Sequence, residues 1–422
     1  MLTEEQNDTL TRVGPGTPMG DLMRRYWIPA ILEWEVPEPD SPPVIIKLLG
    51  EELVAFRQTD GRVGVVGARC AHRRAHLFWG RNEENGIRCV YHGWKFDCEG
   101  ACVDMPSEPE ESNFKDKVRI PAYPTYEVGG VIWCYMGPPE KRPAPPLFAW
   151  TQLPSTHRTI SKIWQQCNWL QALEGGIDTV HSNFLHGGRP PGVKYSENDP
   201  RGRANNFSTA PILEVVPTDY GYTYAGIRSM GAEGTNHVRG YHWVMPWYQI
   251  RAGGGNSGHI WIPIDDENTM VFNWTCTFAE EPMSERAHKM TGSGNELFVD
   301  IDVENNCRSV RNMDNKYLID RQVQKTETYS GIPGTNTQDR AVQESMGPIA
   351  DRTLERLGTT DGAIINARRS LLKAVKTVQD GGEPPGVAPT YYKVRAYETV
   401  LPQGVYWFDA MKDQLYQLSE AR

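Results

Sequence analysis

Over the first third of the chain, apolar and polar positions alternate in a pattern that predicts short strands. "VIIKLLGEELVAFRQTDGRVGVV", from Val44 to Val66, divides into three apolar runs, with Asp60-Gly61 as a tight-turn signal before the third. "YEVGGVIWCYMG", from Tyr126 to Gly137, sets Gly-Gly ahead of a β-branched and aromatic run, as a closing strand would. Proline then interrupts: five of the nine residues from Pro138 to Pro146 are proline, which cannot continue a helix or a central strand. The pattern therefore predicts an all-β first domain over residues 25–140, a linker, and a second domain over 141–422. Residues 1–24 form an N-terminal segment expected to pack on the second domain.

Beyond the linker the periods are mixed. "NWLQALEGGIDTVHSNFL" (Asn168 to Leu185) begins with helical spacing that Gly175-Gly176 weakens. "HVRGYHWVMPWYQIRA" and "SGHIWIPIDDENTMVFNWTCTF" read as antiparallel strands. "DRAVQESMGPIADRTLERL" and "DGAIINARRSLLKAVKTVQD" read as helices, the second with Ile364, Ile365, Leu371, Leu372, Val375 and Val378 in a stripe for burial. Strands followed by helices predict an α+β second domain.

Composition narrows the class. With 39% hydrophobic residues and 13 Trp in 422 residues there is material for two cores. A net charge of −9 argues against a nucleic-acid partner. No apolar run approaches the roughly 18 residues of a membrane span, and "MLTEEQNDTL" lacks a signal-peptide pattern. A cytoplasmic protein follows, with its eight Cys as reduced core residues or metal ligands.

Two Cys-His couples bring chemistry into the β domain. "CAHRRAH" holds Cys70 and His72, "CVYH" holds Cys89 and His92, and sixteen residues separate His72 from Cys89. Zinc with two Cys and two His is the direct competitor. Each couple supplies one thiolate and one imidazole, however, and a [2Fe–2S] cluster of Rieske type needs two of each. Downstream, "EGGIDTVHSNFLHGG" sets Asp178, His181 and His186 within nine residues. At about 100° per residue, Asp178 and His181 fall near one helix face, whereas His181 and His186 stand about 140° apart. Both can reach one metal only if the helix ends or distorts between them, and Gly187-Gly188 suggests a termination just beyond. Two imidazoles with a carboxylate would form the facial triad of mononuclear non-haem iron. A zinc hydrolase is the rival for this site, but no His-Glu-x-x-His motif is present. For the carboxylate, Asp339, Glu344 and Asp351 are all open.

"CAHRRAH" with "CVYHGWKFD" and Met105-Pro106 resembles the Rieske motif of ring-hydroxylating oxygenases. Ala71 stands where that family usually has proline; His76, Cys98 and Cys102 lie outside the motif. The resemblance extends through "GPGTPMGDLMRRYWIPA", "CNWLQALEGGIDTVHSNFLH" and "QDRAVQESMGPIADRTLERLG" to nearly the whole chain, in the phthalate-oxygenase branch of the family. It implies a Rieske domain followed by a helix-grip (START/Bet v1-like) catalytic domain. It assigns Cys70 and Cys89 to one iron of the cluster, His72 and His92 to the other. It assigns His181, His186 and Asp339, with Glu344 as alternative, to a mononuclear Fe(II). Asp178 becomes the bridge that carries electrons and protons between sites of neighbouring subunits. The implied protein is the terminal oxygenase of a multicomponent system, fed from NAD(P)H through a flavin reductase, a ferredoxin, or both. It uses O2 and assembles as a head-to-tail homotrimer or stacked trimers.

The implied substrate is an aromatic carboxylic acid. Monooxygenation with O-demethylation of a methoxylated, vanillate- or dehydrodivanillate-like acid is the first expectation. Ring dihydroxylation of a phthalate- or phenoxybenzoate-like acid is the alternative. A carboxylate calls for arginine, whose planar fork binds it in bidentate fashion. Arg239 is the first candidate, with Arg228 and Arg251 beside it in the strand-rich region. The polar stretch "GGRPPGVKYSENDPRGRANN" after His186 is either a lid or an unstructured insertion. From other classes, a Rieske electron-transfer protein without oxygenase activity and a zinc-stabilised binding module are the rivals.

Overall fold

The computed structural model describes residues 2–109, 111–187, 198–231, 234–252, 256–292, 301–303 and 306–417. Its backbone contacts separate two units, Val13–Pro146 and the combination of Met1–Arg12 with Leu147–Arg422. The proline-rich run ends at the second boundary. The 1–24 segment is divided: the helix Glu4–Thr11 packs on the helices Trp169–Ile177 and Gly362–Gln379, while Val13 onward belongs to the β unit. Asn168 Nδ2 donates to Thr11 O at 2.9 Å and Trp169 Nε1 to Leu10 O at 3.1 Å, which ties the first helix down.

Among the described residues, three small antiparallel sheets build Val13–Pro146. Val44–Leu48, Glu51–Arg57 and Val63–Gly67 pair in chain order, and Gly61 turns between the last two at φ +87°. Thr125–Val128 and Val131–Tyr135 form a hairpin through Gly129 and Gly130, both at positive φ, the turn whose twist matches that of paired strands. Trp27–Leu32 completes this sheet. The third sheet runs Arg81–Glu83, Gly86–Arg88, Lys95–Phe96, Cys102–Asp104. Val54, Phe56, Val66 and Ile87 are fully buried in one cluster with Cys70, Cys89 and Trp94. Each such apolar side chain contributes about 1.5–3 kcal/mol, so the two cysteine loops are rooted in the core.

Among the described residues, the second unit is organised on a ten-stranded sheet. Ile212–Pro217, Gly221–Ser229, Thr235–Val244, Tyr248–Ala252, Asn256–Pro263 and Thr269–Cys276 follow one another antiparallel, and Arg158–Gln165 pairs with the last. Tyr397–Pro402 pairs with the first half of Thr235–Val244. The helix Gly362–Gln379 buries Ile364, Leu371 and Val375 and packs on Ile212–Pro217, giving the helix-grip arrangement. The helix expected from Asp339 to Leu357 is realised as Thr335–Glu344; Gly347, at φ +90°, and Pro348 end it. Of the polar stretch after His186, residues 188–197 lie outside the described residues. Pro200–Phe207 is a helix capped by Asp199, not an unstructured insertion. Among the described residues no helix is long and apolar enough to cross a membrane.

Candidate metal centres

The two Cys-His loops share one backbone design. Arg74 N donates to Cys70 O and Gly93 N to Cys89 O, at 3.0 and 2.9 Å. Cys70 N donates to Ala75 O and Cys89 N to Trp94 O, at 2.9 and 2.8 Å. Each loop thus closes on its own cysteine, and both need a positive φ at the fourth residue on, Arg74 at 65° and Gly93 at 79°. The thiols of Cys70 and Cys89 are buried and in hydrogen-bond contact, and burial pushes the Cys70 thiol up to about 11. Such a thiol becomes a thiolate only with a cation beside it. The His72 and His92 rings stand 4.3 Å apart toward the surface, and Trp94 stacks on His72 at 4.5 Å.

A single zinc would gather all four ligand atoms to within about 4 Å of one another. Among the described residues, His181, His186 and Asp339 are the one group of three or more ligands whose atoms all lie within 4.8 Å. The four loop ligands instead sit as a thiol pair and an imidazole pair, the partition a two-iron cluster needs. Their chemistry therefore fits a Rieske cluster. Ala71 is exposed. His76 accepts from Phe78 N at 3.1 Å and caps the turn Leu77–Trp79, and Cys102 faces Asp104 O. Cys98 lies against Glu99 at 3.1 Å, and all eight cysteines are free.

The second centre depends on an early helix end. Asn168 caps Trp169–Ile177, Asp178 is already its extended C-cap (ψ 130°), and His181 opens a short 3-10 turn. Asp178 and His181 therefore do not share a helix face, and the helix stops well before Gly187-Gly188. Leu185 N donates to His181 O at 2.8 Å, which turns the chain so that His186 returns to His181. Gly176 is required by contact, because a Cβ there would overlap the Trp261 ring; at Gly175 it would press on the end of the Gln343 side chain.

The Nε2 atoms of His181 and His186 lie 3.0 Å apart, and Asp339 Oδ1 is 3.4 and 3.3 Å from them. Ligands about 2.1 Å from one metal and at right angles are ~3.0 Å from each other, so this triangle fits one face of an octahedral ion. Both outer nitrogens are oriented. Gln338 donates Nε2 to Ile332 O, which leaves its Oε1 to accept from His186 Nδ1 at 2.7 Å. His181 Nδ1 faces Asp178 Oδ2 at 3.4 Å, while Asp178 Oδ1 accepts from Val180 N. Each imidazole thus turns its Nε2 lone pair inward. Burial resists charge on His181, but Asp178 and Asp339 outweigh it and hold its pKa above the ordinary value. Burial likewise pushes Asp339 up, and the two histidines override it, leaving the carboxyl below its usual range.

Glu344 is turned away: it accepts from Gln166 N at 2.8 Å, and burial raises its pKa against bonds from Tyr317 and Gln166. Asp351 is exposed. On Thr335–Glu344 the inward stripe is Thr335, Asn336, Asp339, Arg340 and Gln343.

This triad opens into a cavity of about 400 Å³. Alternate residues of successive strands line it, among them Arg239 and Tyr241, Gln249 and Arg251, Ser257 and His259. Arg228 lines it as well, so the three arginines singled out from the sequence share one chamber with His181, His186 and Asp339. Arg228 donates to Thr179 O at 2.7 Å, Arg239 to Ala252 O at 2.6 Å, and Arg251 to Ser257 Oγ at 3.2 Å. Sequence reasoning passed over His259, which bonds Asn273 Oδ1 at 2.6 Å and is held neutral, pushed down to about 3 by burial and Arg251. Its signal was available as polar residues, Ser257 and His259, at alternate positions of an apolar strand. Gln338 and Arg201 were missed without any such signal.

Known proteins are similar along the whole length. Residues 26–124 match the Rieske [2Fe-2S] domain family, and residues 134–420 match the family described as LigXa C-terminal domain like. The 3-chlorobenzoate-3,4-dioxygenase oxygenase subunit of Comamonas testosteroni is 39% identical, over 98% of this chain and 99% of its own. The phthalate 4,5-dioxygenase oxygenase subunit of Pseudomonas putida is 38% identical over 100% and 97%. The 5,5'-dehydrodivanillate O-demethylase oxygenase subunit of a Sphingobium species is 33% identical over 92% and 84%. Among solved structures, a Pseudomonas putida NdmA mutant with theobromine superposes with a TM-score of 0.61 at 19% identity, over 92% of this chain and 99% of that one, which speaks for the fold alone. The chain belongs to the Rieske non-haem iron aromatic ring-hydroxylating oxygenases, as a terminal oxygenase (α) subunit. Its cofactors are the [2Fe–2S] cluster and a mononuclear iron, with O2 as cosubstrate and NAD(P)H reaching it through partner proteins.

Proposed function

We propose that this oxygenase dihydroxylates the ring of an aromatic carboxylic acid. Cys70 and Cys89 would hold one iron of the cluster and His72 and His92 the other; His181, His186 and Asp339 would hold the mononuclear iron. When bound, that iron supplies oxygen activation. The carrying observation is a metal triangle of 3.0–3.4 Å opening into a chamber with Arg228, Arg239 and Arg251 on its wall. An aromatic carboxylate fits between: guanidinium groups take the acid, and the ring faces the triad.

Dihydroxylation consumes one O2, two electrons and two protons per ring. The chain's own part is to deliver and place these. Asp178, hydrogen-bonded to Val180 N and facing His181 Nδ1, is positioned to hold a proton beside the iron-side imidazole as each electron arrives. A reductase or ferredoxin supplies electrons from outside, and a homotrimer brings the cluster of one subunit to the iron of the next.

The choice of reaction rests on the relatives. Two that match over essentially the full chain are the oxygenase subunits of a 3-chlorobenzoate and a phthalate dioxygenase, at 39% and 38% identity. They support ring dihydroxylation as the reading to test first; O-demethylation, the first expectation from the sequence, has the support of the demethylase relative at 33% identity. Oxygen uptake against benzoate, chlorobenzoates, phthalate and methoxybenzoates, with product analysis, tests the reading. A dihydrodiol or its diol product is expected. Formaldehyde release would transfer the assignment to O-demethylation, and no uptake with any acid would end it.

A further inference from the structure

We propose that Glu398 is a specificity-determining residue: its carboxylate occupies the cationic position that a second substrate carboxylate would need, so the chamber selects aromatic monocarboxylates over 1,2-dicarboxylates. The inference rests on the aromatic-acid reading above and refines it.

Glu398 lies on Tyr397–Pro402, directly opposite Arg239 in the antiparallel register, so its position is set by the sheet. Its Oε2 is 3.3 Å from Arg239 Nε, 3.3 Å from Arg201 Nη2 and 3.7 Å from His237 Nε2. Three nitrogen-bearing side chains, two from the strand Thr235–Val244 and one from the Pro200–Phe207 helix, thus converge on one carboxylate. Arg201, Arg239 and His237 also line the chamber of the metal triad. Arg201 and His237 are shared with an adjoining cavity of about 600 Å³, which Glu398 and Thr399 line. Glu398 therefore stands at the wall between the two, with its guanidinium partners facing the chamber.

The arginines of the chamber divide into two sets. Arg239 and Arg201 carry a resident carboxylate. Arg251 and Arg228 are bonded to neutral groups, Ser257 Oγ and Thr179 O, and keep their charge for a ligand. Arg251 is also electrostatically close to Asp339, which places it on the triad's side of the chamber. One substrate carboxylate finds the second set. A second, ortho carboxylate directed at the first set finds two guanidiniums already paired with Glu398, and two carboxylates sharing one cationic site repel.

Titration calorimetry of the iron-loaded, full-length protein separates the possibilities, using benzoate, phthalate and phthalamate, the isosteric monoamide. The wild type is expected to bind phthalamate at least ~10-fold more tightly than phthalate, because the amide donates to Glu398 where the carboxylate is repelled. In Glu398→Gln the phthalamate-to-phthalate ratio is expected to fall by ~10-fold or more, a change that a merely structural role would not produce. Phthalate bound as tightly as phthalamate by the wild type overturns the proposal, as does a ratio that Glu398→Gln leaves in place. If that variant does not fold, the wild-type comparison decides alone. Binding of benzoate without discrimination sinks the role of Glu398 only; binding of none of the three acids removes the aromatic-acid reading and this proposal with it.

Discussion

Replacing His181 by alanine removes one corner of the triangle formed with His186 and Asp339 and touches none of Cys70, His72, Cys89 or His92. His181→Ala is expected to keep the visible and EPR spectrum of the cluster while iron falls from three to two per chain and product formation stops. Loss of the cluster spectrum as well would show that the two sites are not separately built. Gln338→Leu probes orientation instead: without the acceptor for His186 Nδ1, iron affinity should drop about 10–100-fold, read by competition with a chelator. Ligand types and the spacing of Asp178, His181 and His186 were legible in the sequence because short loops confine them. The choice of Asp339 over Glu344 and Asp351 was not, since nothing local says which carboxylate faces inward. The structure separates them by helix face: Asp339 shares the cavity stripe with Thr335 and Gln343, while Glu344 turns to Gln166 N.

The helix Trp169–Ile177 shows how a weak local signal can conceal a strong tertiary requirement. Its Gly175-Gly176 pair lowers helix propensity, yet Gly176 admits the ring of Trp261 where no Cβ fits. Gly176→Ala should force the helix off the strand Asn256–Pro263 and cost about 1–3 kcal/mol, visible as a lowered Tm together with weaker iron retention. A Tm equal to wild type would mean that Trp261 moves aside freely. The same helix presents Glu174, buried between Arg352 at 3.0 Å and Arg368 at 2.6 Å. Burial alone would raise this carboxyl, but the two guanidiniums bring its pKa below the ordinary 4.5. The stabilisation is therefore fully present above pH 4.5 and lost as pH falls through the depressed value. Urea midpoints should hold from neutral pH down to that point and then decline. In Glu174→Gln, whose midpoint should already be lower at neutral pH, the acid-side decline should be shallower.

For the assembled protein, the family reading expects three irons per chain and a particle of three times the 47.6 kDa chain mass. Light scattering on the purified protein checks the second; a monomer with full turnover would contradict the delivery of electrons between subunits. Chelation of the mononuclear iron should leave the particle and the cluster spectrum intact, because the residues proposed to hold the cluster lie in the Val13–Pro146 unit and the triad in the other. A Rieske β domain followed by a sheet-and-helix catalytic domain could be read from one sequence, since metal ligands must be particular residue types and closely spaced ones declare themselves. The early end of the Trp169–Ile177 helix, the inward turn of three arginines, and the engagement of Arg239 by Glu398 could not. Each depends on groups far apart in the chain, such as His186 and Gln338, 152 residues apart, or Arg201 and Glu398, 197 apart. Such contacts arise from sheet register and helix packing, which no local pattern encodes.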